Sequence, residues 1–118
     1  MVAVTQRVPT VTRADVERVI RRDYPSQDPA VVVEILDDAD TRGRHRVQLA
    51  ALKLADGDLA QLREHIRMAR RDYRDVLAAA EYPLAMARWR EIDKMSDEAR
   101  DSIHDADWKQ YQAWLKRS

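Results

Sequence analysis

The sequence predicts an all-α fold, a compact bundle of five to six helices joined by short turns. Three observations carry that expectation. Apolar residues recur at steps of three and four along most of the chain, the spacing that gathers them on one side of a helix. Residues suited to starting helices stand ahead of the apolar stretches at Thr12, Asp28, Asp58 and Ser96. No stretch alternates apolar and polar residues as a half-buried strand would, and 2 glycines in 118 residues leave no dipeptides for tight hairpins. With 45% hydrophobic and 36% charged residues, the chain has material for one core. The expected organisation is a flexible segment over residues 1–11 and one helical domain over 12–118.

Thr12 to Asp15 has the form of a capping box, and Val11 and Val16 occupy the two places of a hydrophobic staple. The helix that follows buries Val16, Val19 and Ile20 and stops near Tyr24, because Pro25 disfavours helical backbone before it. Asp28-Pro29 starts a second helix with an inner stripe of Val32, Ile35, Leu36 and Ala39, and Gly43 marks its exit. The third helix is apolar on two sides, with Val47, Ala51, Leu54 and Ala55 on one and Leu49 and Leu52 on another, so it is expected at the centre. Gly57 closes it and Asp58 caps the next.

Leu62, Ile66, Ala69, Tyr73, Val76, Leu77 and Ala80 then form a stripe that runs unbroken to Glu81. It is read as one long helix, with a kink possible at Asp72, where a second start signal is embedded. A fifth helix from Pro83 is expected to bury Leu84, Ala85, Trp89 and Ile92. The last region, capped by Ser96, places Ile103, Tyr111, Trp114 and Leu115 on one face, with a restart possible at Asp105.

The strings Leu52 to Leu59, Tyr73 to Pro83 and Ile103 to Trp108 with Gln110-Tyr111 and Trp114-Leu115 resemble a family of small uncharacterised bacterial helical proteins. The resemblance implies a bacterial, cytoplasmic protein. It implies no activity and supplies no catalytic residues.

The chemistry legible in the sequence is sparse. The chain has no cysteine, so disulfides and thiolate sites are excluded, and two glycines cannot build a phosphate-binding loop. No basic start followed by an apolar signal stretch opens the chain, and no apolar run is long enough to cross a membrane. Asp38, Asp40 and Gly43 match three positions of a calcium loop, but Arg42 and Leu49 occupy places where ligands are required. Asp101, His104 and Asp105 share a helical face with Trp108, a weak candidate metal cluster without a second spaced ligand pair. His45 and His65 stand alone among arginines. No nucleophile–base arrangement is recognisable, so no catalytic residue and no cofactor is assigned.

Charge is the more informative feature. The 21 basic and 21 acidic residues cancel overall, but the chain runs +3 over residues 1–22, −6 over 23–41, +5 over 42–74, −5 over 75–107 and +3 over 108–118. Within the basic block, Arg63, Arg67, Arg70, Arg71 and Arg74 fall within about a 100° arc of a continuous helix. Such a face can pair with the chain's own acidic blocks, bind an acidic protein surface or hold phosphates. Trp108, Tyr111 and Trp114 are a second candidate contact surface, or else a terminal helix folding its aromatics into the core. The leading expectation is a non-enzymatic interaction module with a protein partner or a second copy of itself. Nucleic-acid binding through residues 63–74 is the alternative.

Overall fold

The computed structural model describes residues 8–39 and 43–117. Among these described residues, eight helices follow in order: α1 (Arg13–Asp23), α2 (Pro29–Asp37), α3 (Arg44–Ala55), α4 (Leu59–Arg71), α5 (Tyr73–Glu81), α6 (Pro83–Ala87), α7 (Trp89–Ile92) and α8 (Asp97–Leu115). Among the described residues 77% are helical and none lies in a strand. Residues 1–7 of the expected flexible segment and Asp40 to Arg42 of the calcium-loop reading lie outside the described residues. Pro9 is buried and Val11 packs on the core, so the bundle's edge begins ahead of Thr12.

The start signals act as expected. The Thr12 hydroxyl accepts from the Asp15 N–H at 3.4 Å, and the Asp15 carboxylate accepts from the Thr12 N–H at 2.9 Å, completing the capping box. Asp28, Asp58 and Ser96 accept from the N–H groups of Ala30, Gln61 and Ala99 at 3.0, 3.0 and 3.2 Å. Each such cap stabilises a helix by about 1 kcal/mol.

At the centre lies α3. Every residue from Val47 to Leu52 is buried, Gln48 included, and α1, α4 and α5 pack around it. The Gln48 amide points to Asp37 at 3.3 Å, giving its buried polar end a partner. Asp56 closes α3 in the left-handed conformation (φ 49°), and Gly57 follows at φ 83°. A side chain on Gly57 would meet the Asp23 carbonyl at 3.1 Å, so a glycine there lets the end of α1 approach this turn. Tyr24 closes the same junction, its hydroxyl donating to the Asp58 carbonyl at 3.3 Å. Burial first, then the nearby Asp23, Asp58 and Asp56, push its phenol up to about 12.

Two expectations are corrected. The stripe from Leu62 to Ala80 belongs to two helices, not one, because Asp72 adopts extended backbone (φ −154°, ψ 101°) between them. Its carboxylate accepts from the Arg74 N–H at 3.0 Å and so caps α5. The break lets α4 and α5 pack separately on α3. The helix expected from Pro83 is also divided, at Arg88, and neither piece contains a buried residue. α8, in contrast, runs through Asp105 without a restart.

One buried ion pair ties α3 to the end of α5. The Arg46 Nε and Nη2 donate to the two oxygens of Glu81 at 2.8 and 2.6 Å. The Glu81 side chain is 2% exposed and that of Arg46 25%. Replacing Arg46 with Ala strands the Glu81 carboxylate and should cost about 3 kcal/mol, the low end for a broken buried pair because water reaches Arg46. The joint replacement Arg46→Met with Glu81→Leu should recover most of that loss. Urea denaturation of the two variants measures both; equal losses would contradict the pairing as the cause.

Candidate interaction surface

The geometry of the surface begins with a mismatch of lengths. α8 has 19 residues, a rod of about 28 Å, yet its buried residues are only Asp107, Tyr111, Trp114 and Leu115. Its C-terminal half enters the core and its first ten residues do not. The molecule is accordingly drawn out, measuring 48 × 30 × 21 Å.

Three contacts fix the inner half. The Arg22 Nη1 donates to the carbonyls of Trp114 and Arg117 at 2.8 Å each and to that of Leu115 at 3.4 Å, closing the carbonyl end of α8. The same guanidinium pairs with Asp23 at 2.7 Å and lies 5.1 Å above the Trp114 ring. The Gln110 amide donates to the Ala80 carbonyl of α5 at 3.2 Å. Asp107, fully buried, accepts from the N–H groups of Leu84 and Ala85 at 2.9 and 3.1 Å. A negative charge on the first turn of α6 meets amides that the helix itself cannot satisfy, which docks α6 onto α8.

Beyond that anchor, α6, α7 and the outer half of α8 form an arm. Leu84 is 46% exposed, Met86 44% and Trp89 65%. The expected burial of Leu84 and Trp89 is thus overturned, while Ala85 and Ile92 are half-buried. The cause is local. Asp107 holds the start of α6, and the backbone leaves helical geometry at Arg88 (φ −121°, ψ 23°), so no continuous face turns inward. The Arg90 guanidinium lies 5.2 Å from the Trp89 ring.

The arginine stripe is divided by the break at Asp72. Arg63, Arg67, Arg70 and Arg71 stay together on the exposed side of α4, while Arg74 belongs to α5 and pairs with Asp72 at 3.0 Å. Arg67 pairs with Glu64 at 2.9 Å and Arg70 with Asp38 at 3.1 Å, both at well-exposed side chains. Arg63 and Arg71 pair with no described residue. Met68, 41% exposed, borders this face.

The aromatic tail turns inward. Tyr111 and Trp114 are buried with their ring centroids 5.6 Å apart, which closes them to any partner, and Trp108 is half-buried. Burial and the neighbouring Glu81 raise the Tyr111 phenol well above its ordinary range. Asp101 is exposed, His104 is half-buried and Asp105 pairs with Lys109 at 2.8 Å. Among the described residues, no group of three His, Asp or Glu is placed to hold a metal ion. A cleft between α1, α2 and α3, lined by Arg13, Asp37, His45 and Gln48 among others, has room only for a water-sized group. No helix among the described residues is long and apolar enough to cross a membrane.

Asp107 is not among the sequence's candidate residues, although its position carries a signal. Ile103, Asp107, Tyr111 and Trp114 stand at i, i+4, i+8 and i+11, so the acid lies on the apolar stripe itself. Glu81 carries a comparable mark, four residues after Leu77 and eight after Tyr73, whereas Arg22 carries none, because the carbonyls it holds are distant in sequence. No family model, curated protein or solved structure matches the chain.

Two expected outcomes follow from these environments. Asp107→Ala leaves two amides of α6 without an acceptor and should destabilise by about 2–3 kcal/mol, with Asp107→Asn between it and the wild type. Chemical denaturation ranks the three; an Ala variant as stable as wild type would contradict the anchor. Burial lowers the pKa of His65, opposed by Glu64, and its Nδ1 is buried without a hydrogen-bond partner. The unfolded chain therefore binds a proton more readily than the folded one, so this contribution is intact above the unfolded value and is lost as pH falls through it. His65→Gln should flatten the decline in stability between about pH 7 and pH 5; an unchanged slope would contradict it.

Proposed function

We propose that the protein is a non-enzymatic helical interaction module and that its arm, α6 and α7 with the outer half of α8, is the surface that meets another protein. The observation that carries this reading is the exposure of Leu84, Met86 and Trp89 within six residues of chain. Large apolar side chains clustered on a surface mark contact sites, and tryptophan is enriched where binding energy concentrates. The fold supports the arm as an outward element, since Asp107 spends a fully buried carboxylate on holding it.

A non-enzymatic role is supported by how the buried acids are used. Glu81 and Asp107, the carboxylates with the least water, are occupied by Arg46 and by two backbone amides. Both bind helices together. Nucleic-acid binding through residues 63–74 has weaker support, because the chain carries no basic excess, with 21 basic and 21 acidic residues, and Arg74 has left the face.

A photo-crosslinking phenylalanine analogue at position 89, introduced in cells that make the protein, should give a discrete protein adduct. The same analogue at the exposed Glu34 on α2 should not. Absence of any adduct from position 89, or an identical pattern from both positions, would overturn the reading.

A further inference from the structure

The arm carries charge as well as apolar surface, and the charge has a spacing. On α8, Glu98, Asp101 and Asp105 fall within about a 60° arc, opposite the face of Asp107 that enters the core. On α4, Arg63, Arg67 and Arg70 fall within a comparable arc, about 90° round the helix from Leu62 and Ile66. The arginines step by four and then three residues. Read in the opposite direction, the acids step from Asp105 to Asp101 by four and to Glu98 by three. Two antiparallel helices with these sequences bring Arg63 to Asp105, Arg67 to Asp101 and Arg70 to Glu98 at the same rise along the axis.

Within one chain the two stripes are not brought together: α8 packs chiefly on α5 and α6, and no ion pair joins Glu98 or Asp101 to α4. Glu98 and Asp101 pair with no described residue, nor does Arg63. The partners now held by Arg67, Arg70 and Asp105 are exposed, and exposed pairs stabilise by under about 1 kcal/mol, so exchanging them costs little. An apolar group borders the arginine stripe, Met68 at 41% exposure.

We infer that the protein partner of the arm is a second copy of this chain, its α4 arginine stripe receiving the acidic stripe of α8. This rests on the interaction role proposed above. A two-fold arrangement uses both stripes of both copies, so the contact forms twice and closes. That doubling matters, because one helix crossing buries less than the ~1,600 Å² of a standard interface. Charges set the register and Met68 is covered alongside.

Sedimentation velocity tests the inference through a charge exchange. Wild type should self-associate in about 50 mM salt and weaken on the order of tenfold in about 500 mM salt. One variant carries Arg63→Glu, Arg67→Glu and Arg70→Glu; the other carries Glu98→Arg, Asp101→Arg and Asp105→Arg. Each alone should be a helical monomer by sedimentation and circular dichroism. Their equimolar mixture should associate again, because both contacts of the mixed pair become complementary. A milder variant, Arg63→Gln with Arg67→Gln, should weaken association in the same direction should either triple variant fail to fold. A wild type that stays monomeric at low salt overturns the inference, as does a variant that still self-associates or a folded mixture that does not. A position-89 adduct containing only a different protein overturns the second-copy identity and leaves the interaction reading standing; no adduct overturns both.

Discussion

The rest of the structure depends on α3 being buried around its whole circumference. A helix with apolar side chains on every side must be covered on every side, and Val47 to Leu52 leave no residue facing water. α1, α4 and α5 supply that cover, which is why the stripe from Leu62 to Ala80 bends at Asp72 instead of running straight past. A single rod would cover one line along α3. Two helices joined at an extended residue cover two.

The same constraint creates the arm. α3 is 12 residues long, about 18 Å, and a core built on it cannot bury the 19 residues of α8. The last turns of α8 are drawn in by Tyr111, Trp114 and the Arg22 clamp. The first turns extend past the core and carry α6 and α7 with them. Asp107 sits at the crossing point, where a carboxylate sealed from water offers α6 a stronger acceptor than any neutral group could. Polar bonding, with little apolar cover, thus holds the outer helices.

Much of this was legible in the sequence. The caps at Thr12, Asp28, Asp58 and Ser96 are short-range signals, and short-range chemistry decides them. The central place of α3 followed from its two apolar sides. What failed was the step from apolar residue to buried residue on the arm: Leu84 and Trp89 look like core on spacing, but their burial depends on how far the core reaches. The break at Asp72 was ambiguous for another reason, since its capping signal competes with an unbroken stripe and only packing on α3 decides between them. For the candidate surface, the α4 arginines and the tail aromatics were both named as contact residues; the structure keeps the arginines exposed and buries Tyr111 and Trp114, whereas the long-range partners of Arg22, Arg46 and Asp107 stand 22 to 95 positions away, beyond the reach of any local pattern.

The central claim is that the arm is a separate element held to a tight core by a few polar bonds. Native-state hydrogen exchange on dilute, monomeric protein tests it most directly, since amides opening locally exchange ahead of those that need global unfolding. The amides of α7 and the outer half of α8 should exchange early, those of α3 only with global unfolding, and those of Leu84 and Ala85 between the two. Exchange of α7 at the rate of α3 would contradict the claim, because it would make the arm part of the core.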